Sequence, residues 1–199
     1  MINNIIIMIY NICKRKKDST ASVDFFLKRR YNRNMETVVC FTGHRPQGFE
    51  WDYEDKTCQA HQNYIQKLYA KVGELIQTGY THFISGGALG ADSDFAEAVL
   101  LYKESNPNLI LEIAIPCETQ NKGWSQQNQA RYNAILQKAD ILHILSPTYT
   151  PWCMHARNRY MVDKASAVLA VFNGKESGGT FETLKYAQKK GKITIILPI

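Results

Sequence analysis

The chain has 199 residues, of which 45% are hydrophobic and 21% are charged, enough to bury the core of one α/β domain. Its five cysteines are an odd number and include no Cys-x-x-Cys pair, so neither a disulfide framework nor a zinc knuckle is indicated. This cysteine usage fits a reducing compartment, and we expect a cytoplasmic protein.

The formal net charge of +6 is confined to residues 1–34, which hold eight basic and two acidic residues. Residues 35–199 hold sixteen basic and sixteen acidic residues, so their net charge is zero. Nucleic-acid binders usually carry a basic face on the folded domain. The charge count therefore gives no sign of such a face in residues 35–199.

Residues 1–34, the basic leader, do not have the layout of a secretory signal. The apolar run over residues 1–10 is too short to span a bilayer, and the basic cluster follows this run instead of preceding it. We expect a disordered extension or an over-long start assignment, with Met35 as the true start. A basic arm for nucleic acid or a membrane surface, and an ordered helix, stay open as alternatives.

From Met35 onward, short apolar runs alternate with segments of helical periodicity. The apolar runs predict strands over residues 38–41, 81–84, 109–115, 141–145, 167–172 and 193–197. Helices are predicted for about twenty residues before Gly79, after residue 90, and over residues 125–138, 154–164 and 181–190. Such alternation requires right-handed crossovers, and it predicts a Rossmann-like three-layer α/β sandwich with a mostly parallel sheet of six strands.

Three polar or glycine-rich segments follow predicted strands. In open parallel sheets, ligands bind beyond the carboxyl ends of the strands, where the strand order reverses. In the first segment, Gly43 permits a sharp turn, and His44 and Arg45 can reach a phosphate or a carboxylate. A buried structural role for His44 is the alternative. The three segments cover residues 43–46, 85–90 and 177–180.

The second segment is a glycine-rich turn before a helix that begins with two acids. It departs from the dinucleotide fingerprint Gly-x-Gly-x-x-Gly by a serine at the first position, and no acid stands cleanly after the next strand. An NAD enzyme is therefore disfavoured. Small residues let backbone N–H groups approach an anion at a helix N-terminus, although they also permit plain close packing. The predicted contact residues are Ser85, Gly86, Gly87, Gly90 and Asp92.

The third segment, Ser177-Gly178-Gly179-Thr180, precedes a predicted helix with Thr180 as its N-cap. It is not a P-loop, because Thr180 stands where a lysine is required. We predict ligand contact through the N–H groups of Gly178, Gly179 and Thr180, with a plain capping turn as the alternative. Arg157 is predicted at a helix start, where its guanidinium can enter the cleft or pair with a nearby acid.

Other chemistries are not indicated. The sequence has no Gly-x-Ser-x-Gly elbow, and its five histidines are scattered singly, without a His-Glu-x-x-His or Cys/His pair. We therefore predict neither a serine nucleophile nor a metal site, and we expect no required cofactor.

The segments described above, together with the pair Arg157-Asn158, resemble the SLOG superfamily and in particular its YpsA-like branch. The resemblance covers nearly all of the chain from Met35 onward. It implies a Rossmann-like domain that binds a nucleotide or nucleotide derivative at the glycine loops, with Asn158 among the contact residues. Relatives in this superfamily include the cytokinin-activating phosphoribohydrolases, which cleave the N-glycosidic bond of nucleoside monophosphates. Another relative is the DNA-processing protein A family, which binds single-stranded DNA.

The phosphoribohydrolase pattern is Arg-Lys-x-x-Met followed by Pro-Gly-Gly-x-Gly-Thr-x-x-Glu, and this chain departs from it at two charged positions. Asn158 replaces the lysine, and Thr183 stands where the glutamate belongs. Glu182 is one residue early, so on a helix it points about 100° away from that position. We therefore predict a nucleotide-binding sensor or regulatory module with little or no catalysis.

Two other functions stay open. The first is an N-glycosidase that acts on nucleoside monophosphates, with Arg157 on the phosphate and Asp92 or Glu182 as the carboxylate. The second is a single-stranded DNA-binding accessory protein, which the basic leader and the distant relatives motivate. The expected partner is a small nucleotide, no membrane association is predicted, and a homo-oligomer is expected only by resemblance.

Overall fold

The structure, a computed structural model, describes residues 37–199. The predictions for the basic leader and for a start at Met35 lie outside the described residues. The strands are β1 (Val38–Thr42), β2 (His82–Ser85), β3 (Ile110–Ile115), β4 (Ile141–Ile144), β5 (Ala167–Phe172) and β6 (Ile193–Pro198). The helices are α1 (Gln59–Gln77), α2 (Ala91–Lys103), α3 (Gln126–Lys138), α4 (Cys153–Lys164) and α5 (Gly178–Lys189), with a 3-10 turn at Pro46–Gly48.

All six strands form one parallel sheet in the order β4-β3-β2-β1-β5-β6. The register places Cys40 of β1 opposite Ile84 of β2 on one side and Val168 of β5 on the other. The Rossmann-like fold predicted from the sequence is confirmed. The strand order reverses between β1 and β5, because the chain builds outward to β4 and then returns across the sheet.

Alternate residues of the central strands serve two separate cores. Val39 and Phe41 of β1 pack with helices α1, α2 and α3 on one face of the sheet. Cys40 points to the other face, where it packs with Met161 of α4 and Ala187 of α5. Burial on both faces explains why β1 and β5 are continuous apolar runs, as is typical of parallel sheets. Among residues 37–199, none of the helices combines the length and the apolar composition needed to traverse a bilayer.

The predicted boundaries agree with the structure to within one residue for every strand and for the helices α3 and α4. Helix α5 is different, because it begins at Gly178, three residues before the predicted start at residue 181. The prediction of Thr180 as its N-cap is therefore wrong. Ser177 occupies the N-cap position in an extended conformation, and its side chain makes no capping hydrogen bond.

A fully buried carboxylate joins the sheet to helix α4. Glu112 of β3 accepts hydrogen bonds from His82 Nε2 at 2.8 Å, Tyr160 Oη at 2.6 Å and Lys164 Nζ at 2.8 Å. Burial by itself raises the pKa of Glu112. The three hydrogen bonds outweigh it and hold the pKa at about 2. The ionised form is thus bound into the fold.

Replacing Glu112 by glutamine tests this interaction. Glutamine keeps the shape and loses the charge, so we expect the free energy of unfolding at pH 7 to fall by about 2 kcal/mol. The folded pKa of Glu112 lies below its ordinary value of 4.5. The stabilisation is therefore present above pH 4.5 and disappears as the pH falls toward 2. Urea unfolding of both proteins at several pH values measures the difference, and a difference that does not shrink with acid would contradict it.

Candidate functional site

A cleft of about 290 Å³ lies at the carboxyl ends of β1 and β5, where the strand order reverses. Four segments that are distant in the sequence form its walls. Nine of the thirteen predicted contact residues line it, namely Gly43, His44, Arg45, Asp92, Arg157, Asn158, Gly178, Gly179 and Thr180. Phe41, Thr42, Ala88, Met154 and Ser177 complete the lining.

The N-terminus of α5 opens into this cleft without a cap. The first N–H groups of an α-helix have no partner within the helix, and Ser177 does not supply one from its side chain. A methyl group placed on Gly178 or Gly179 would meet no atom within 4 Å. The side-chain positions of these two glycines therefore face open space, and the partial positive charge of the helix dipole falls at the same helix end.

The glycine-rich turn after β2 holds some of its own backbone N–H groups in hydrogen bonds. The Gly87 N–H donates to Ser85 Oγ at 3.2 Å, and the Ala88 N–H donates to Asp92 Oδ2 at 3.2 Å. Ser85 Oγ in turn donates to the Asp92 carbonyl at 2.9 Å. Two N–H groups of the turn are thus bonded within it, and the ligand contact expected there stays a prediction. Ser85, Gly86, Gly87 and Gly90 lie behind the cleft wall and do not line it.

Gly86 makes room for a buried ion pair at the base of the cleft. A Cβ atom on Gly86 would overlap the Arg157 guanidinium, so the arginine lies directly over the glycine backbone. Arg157 Nη1 contacts Asp92 Oδ2 at 3.3 Å, and both side chains are 8% exposed. Burial raises the pKa of Asp92, and the nearby guanidinium offsets this only in part. The Nε atom of Arg157 is buried and has no hydrogen-bond partner among the described residues.

His44 and Arg45 stand on the opposite wall in different settings. His44 Nε2 accepts a hydrogen bond from the Asn173 N–H at 3.2 Å, which ties the loop after β1 to the loop after β5. Burial lowers the pKa of His44. The neutral imidazole is therefore favoured at pH 7. Arg45 is exposed, and no carboxylate of the described residues lies within ion-pair distance of it.

The two positions that depart from the phosphoribohydrolase pattern touch each other. Asn158 Nδ2 donates to Thr183 Oγ1 at 2.9 Å, and that hydroxyl donates to the Gly179 carbonyl at 2.7 Å. Glu182 lies outside the cleft, where its half-exposed carboxylate is 3.6 Å from Lys185 Nζ. Asp92 is therefore the one carboxylate that lines the cleft within residues 37–199.

Sequence reasoning missed a buried network that shapes the loop after β1. Asp94 is 2% exposed, and it accepts hydrogen bonds from Tyr53 Oη at 2.7 Å and Tyr64 Oη at 3.0 Å. Arg131 Nη2 of α3 contacts the same carboxylate at 2.7 Å and also pairs with Glu97. These partners come from three helices and a loop. The sequence showed Asp94 as an acid in the first turn of a predicted helix, but no motif identified its hydrogen-bond partners.

Substitution of Gly90 tests how closely the loops after β1 and β2 approach. A Cβ on Gly90 would lie 2.7 Å from the His44 carbonyl oxygen and 3.0 Å from the Arg45 Cα, both backbone atoms that cannot rotate away. Gly123 also has a positive φ but faces open space. We expect Gly123→Ala to cost about 1 kcal/mol of unfolding free energy from backbone strain alone. Gly90→Ala should cost at least about 1 kcal/mol more, because a loop must move.

Chemical denaturation of the two variants beside the unmodified protein measures both costs. Equal losses at positions 90 and 123 would mean that the loops separate freely, and the close approach would then have no structural importance.

A family model described as the YspA SLOG family matches residues 39–196. The chain is 35% identical over 136 residues to the uncharacterized SPbeta prophage-derived protein YoqJ of Bacillus subtilis (strain 168), covering 62% of this chain and 79% of that protein. It is 28% identical over 153 residues to a UPF0398 protein of Bacillus pumilus (strain SAFR-032), covering 76% and 81%.

Among solved structures, the chain is similar to DNA processing protein A from Helicobacter pylori, whose structure is described for its single-stranded DNA binding mode. The TM-score is 0.54 at 21% identity, and the match covers 83% of this chain and 67% of the other. At this identity the likeness shows a common fold.

Proposed function

We propose that the cleft of this chain, which belongs to the YspA SLOG family, binds a nucleotide or nucleotide derivative through a phosphate group. One observation carries this proposal. The uncapped N-terminus of α5 faces a cleft whose other walls supply two guanidinium groups, from Arg45 and Arg157. Helix N-termini bind phosphate because their free N–H groups and the helix dipole act on the same anion.

The two guanidinium groups differ in whether a carboxylate of the protein already pairs with them. Arg45 is exposed and has no carboxylate partner among the described residues, so it is free to approach an incoming phosphate. Arg157 is held by Asp92 at the base of the cleft, and its buried Nε lacks a partner. Because a buried polar group without a hydrogen bond is costly, a ligand oxygen that reaches this atom gains affinity.

The size of the cleft favours a single nucleotide. A volume of about 290 Å³ lies at the lower end of the range of small-molecule pockets. With the phosphate at the α5 N-terminus, the sugar lies toward Asp92, whose Oδ1 atom has no hydrogen-bond partner among the described residues. A carboxylate oxygen is a suitable acceptor for a sugar hydroxyl.

The charge environment of Asp92 supports binding with little or no catalysis. A glycosidic carboxylate must stabilise a cationic, oxocarbenium-like centre with its own negative charge. The charge of Asp92 is offset by Arg157 at 3.3 Å, and its oxygen also accepts the Ala88 N–H. Asn158 and Thr183 add no charge to the cleft. We therefore infer a sensor or regulatory module that responds to a nucleotide.

Gly179 offers a substitution that blocks the anion site and preserves the fold. An aspartate at this position places its own carboxylate at the helix N-terminus, where a negative charge is favourable and no atom obstructs it. We expect Gly179→Asp to keep its thermal stability and to lose nucleotide affinity by at least about tenfold. Gly179→Ala is the matched control, because it adds a side chain without a charge and should retain binding.

Isothermal titration calorimetry with AMP, ADP-ribose, NAD and cyclic nucleotides measures this effect. The proposal fails if none of these ligands binds the unmodified protein at millimolar concentration, or if the aspartate and alanine variants bind equally well.

The N-glycosidase alternative depends on Asp92, because Glu182 lies outside the cleft. Its test is base release from nucleoside monophosphates, followed by chromatography. We expect no release above the uncatalysed rate. Release by the unmodified protein that disappears in Asp92→Asn and persists in Glu182→Gln would establish the enzyme instead.

A third candidate function is single-stranded DNA binding, which is described for the Helicobacter pylori protein. In this chain a specific observation favours nucleic-acid binding, and it concerns a surface outside the cleft.

A further inference from the structure

The zero net charge of residues 35–199 conceals two regions of opposite sign. Residues 35–152 hold eight basic and thirteen acidic residues, a net charge of −5. Residues 153–199 hold eight basic and three acidic residues, a net charge of +5. The second region contains α4 and α5, which together cover one face of the sheet. The fold therefore has the basic face that the summed charge did not reveal.

A groove of about 540 Å³ runs between α4 and α5 on this face. His155 and Arg159 lie one helical turn apart on α4, and Lys185 and Lys189 lie one turn apart on α5. Glu182 is the single acid in its lining among the described residues, and it pairs loosely with Lys185 at 3.6 Å. The groove therefore has a net positive charge.

The cations of the groove are not used to hold the fold together. No carboxylate of residues 37–199 lies within ion-pair distance of Arg159 or Lys189. Like charges one turn apart, such as Lys185 and Lys189, destabilise a helix slightly. By contrast, Lys190 just beyond the groove lies 3.1 Å from Asp163. These cations are exposed, and Arg159 and Lys189 have no carboxylate partner, yet the fold holds like charges close together despite their repulsion. This arrangement indicates an anionic partner.

Aromatic side chains accompany these cations. The Tyr186 ring lines the groove, with the Arg159 guanidinium 5.5 Å from its centre. Trp152 stands beside His155 at the end of the groove, and it is 74% exposed. A tryptophan that is this exposed buries little apolar surface, so it contributes little to packing. Basic grooves with accessible aromatic rings bind single-stranded nucleic acids, because the cations follow the phosphates and the bases stack on the rings.

We propose that the groove between α4 and α5 binds single-stranded nucleic acid, with Arg159, Lys185 and Lys189 on the phosphodiester backbone and Trp152 as a base-stacking platform. This site is distinct from the nucleotide cleft, although Asn158 lines both. The proposal does not depend on nucleotide binding in the cleft. It also places nucleic-acid recognition on the folded domain instead of the basic leader.

Fluorescence anisotropy of a labelled oligothymidylate with the full-length protein tests the proposal. The groove variant is Arg159→Glu/Lys189→Glu. The matched control is Lys67→Glu/Lys138→Glu, two exposed lysines of α1 and α3 on the opposite face. Both variants change the net charge equally and retain the basic leader, so any contribution of the leader is the same in both.

We expect the groove variant to bind about tenfold or more weakly at about 0.05 M salt, with the slope of log affinity against log salt reduced by about 1.4 for two lost phosphate contacts. The control should stay within about twofold of the unmodified protein. Trp152→Phe should retain binding and lose the quenching of tryptophan fluorescence, whereas Trp152→Ala should weaken binding by about fivefold or more. A parallel titration with a labelled oligouridylate shows whether the groove binds RNA or DNA more tightly.

Three outcomes would overturn the proposal. The first is an equal loss of affinity in the groove variant and the control, and the second is no binding by the unmodified protein at low salt. The third is displacement of the oligonucleotide by poly-glutamate at equal charge concentration, since this would mean that the groove recognises an acidic polypeptide equally well.

Discussion

The reversal of strand order between β1 and β5 determines where the cleft lies and which residues can reach it. The chain builds the sheet outward from β1 to β4 and then returns through α4 to β5, on the other side of β1. The loops after β1 and β5 therefore diverge and leave a crevice at the carboxyl ends of the two strands. Because α4 and α5 both begin at this same end, Arg157 near the start of α4 and the N-terminus of α5 meet in one cleft.

The two glycine-rich turns differ in how they relate to that cleft, since the turn before α5 lines it and most of the turn after β2 lies behind its wall. The turn after β2 bonds two of its N–H groups, those of Gly87 and Ala88, to Ser85 and Asp92, and it leaves a bare backbone surface on which the Arg157 guanidinium lies. The turn before α5 does the reverse, because it satisfies none of its N–H groups through the Ser177 side chain and faces open space. The turn after β2 holds the Arg157 guanidinium in place, and the turn before α5 presents the positive end of the α5 dipole. Both are positive features at one cleft.

The alternation of strands and helices was sufficient to predict the fold, because the period of the apolar residues is a local property of the sequence. The partners of buried charges are not local. Glu112 contacts residues 30, 48 and 52 positions away, and Asp94 contacts Arg131 37 positions away, so no motif marks either network. The separation of charge is present in the sequence as two consecutive segments of opposite sign, but only the fold shows that α4 and α5 of the second segment cover the same face of the sheet. The misplaced N-cap had a local cause, since Ser177 and Thr180 are equally good capping residues in the sequence and only the backbone decides between them.

The most direct measurement of the central claim is the response of individual backbone amides to a nucleoside monophosphate, followed by ¹H–¹⁵N NMR. We predict that the largest changes in chemical shift occur at Gly178, Gly179 and Thr180, whereas Gly87 and Ala88 change little because their N–H groups are already bonded within the protein. Large changes at Gly87 and Ala88, with none at the start of α5, would contradict the account.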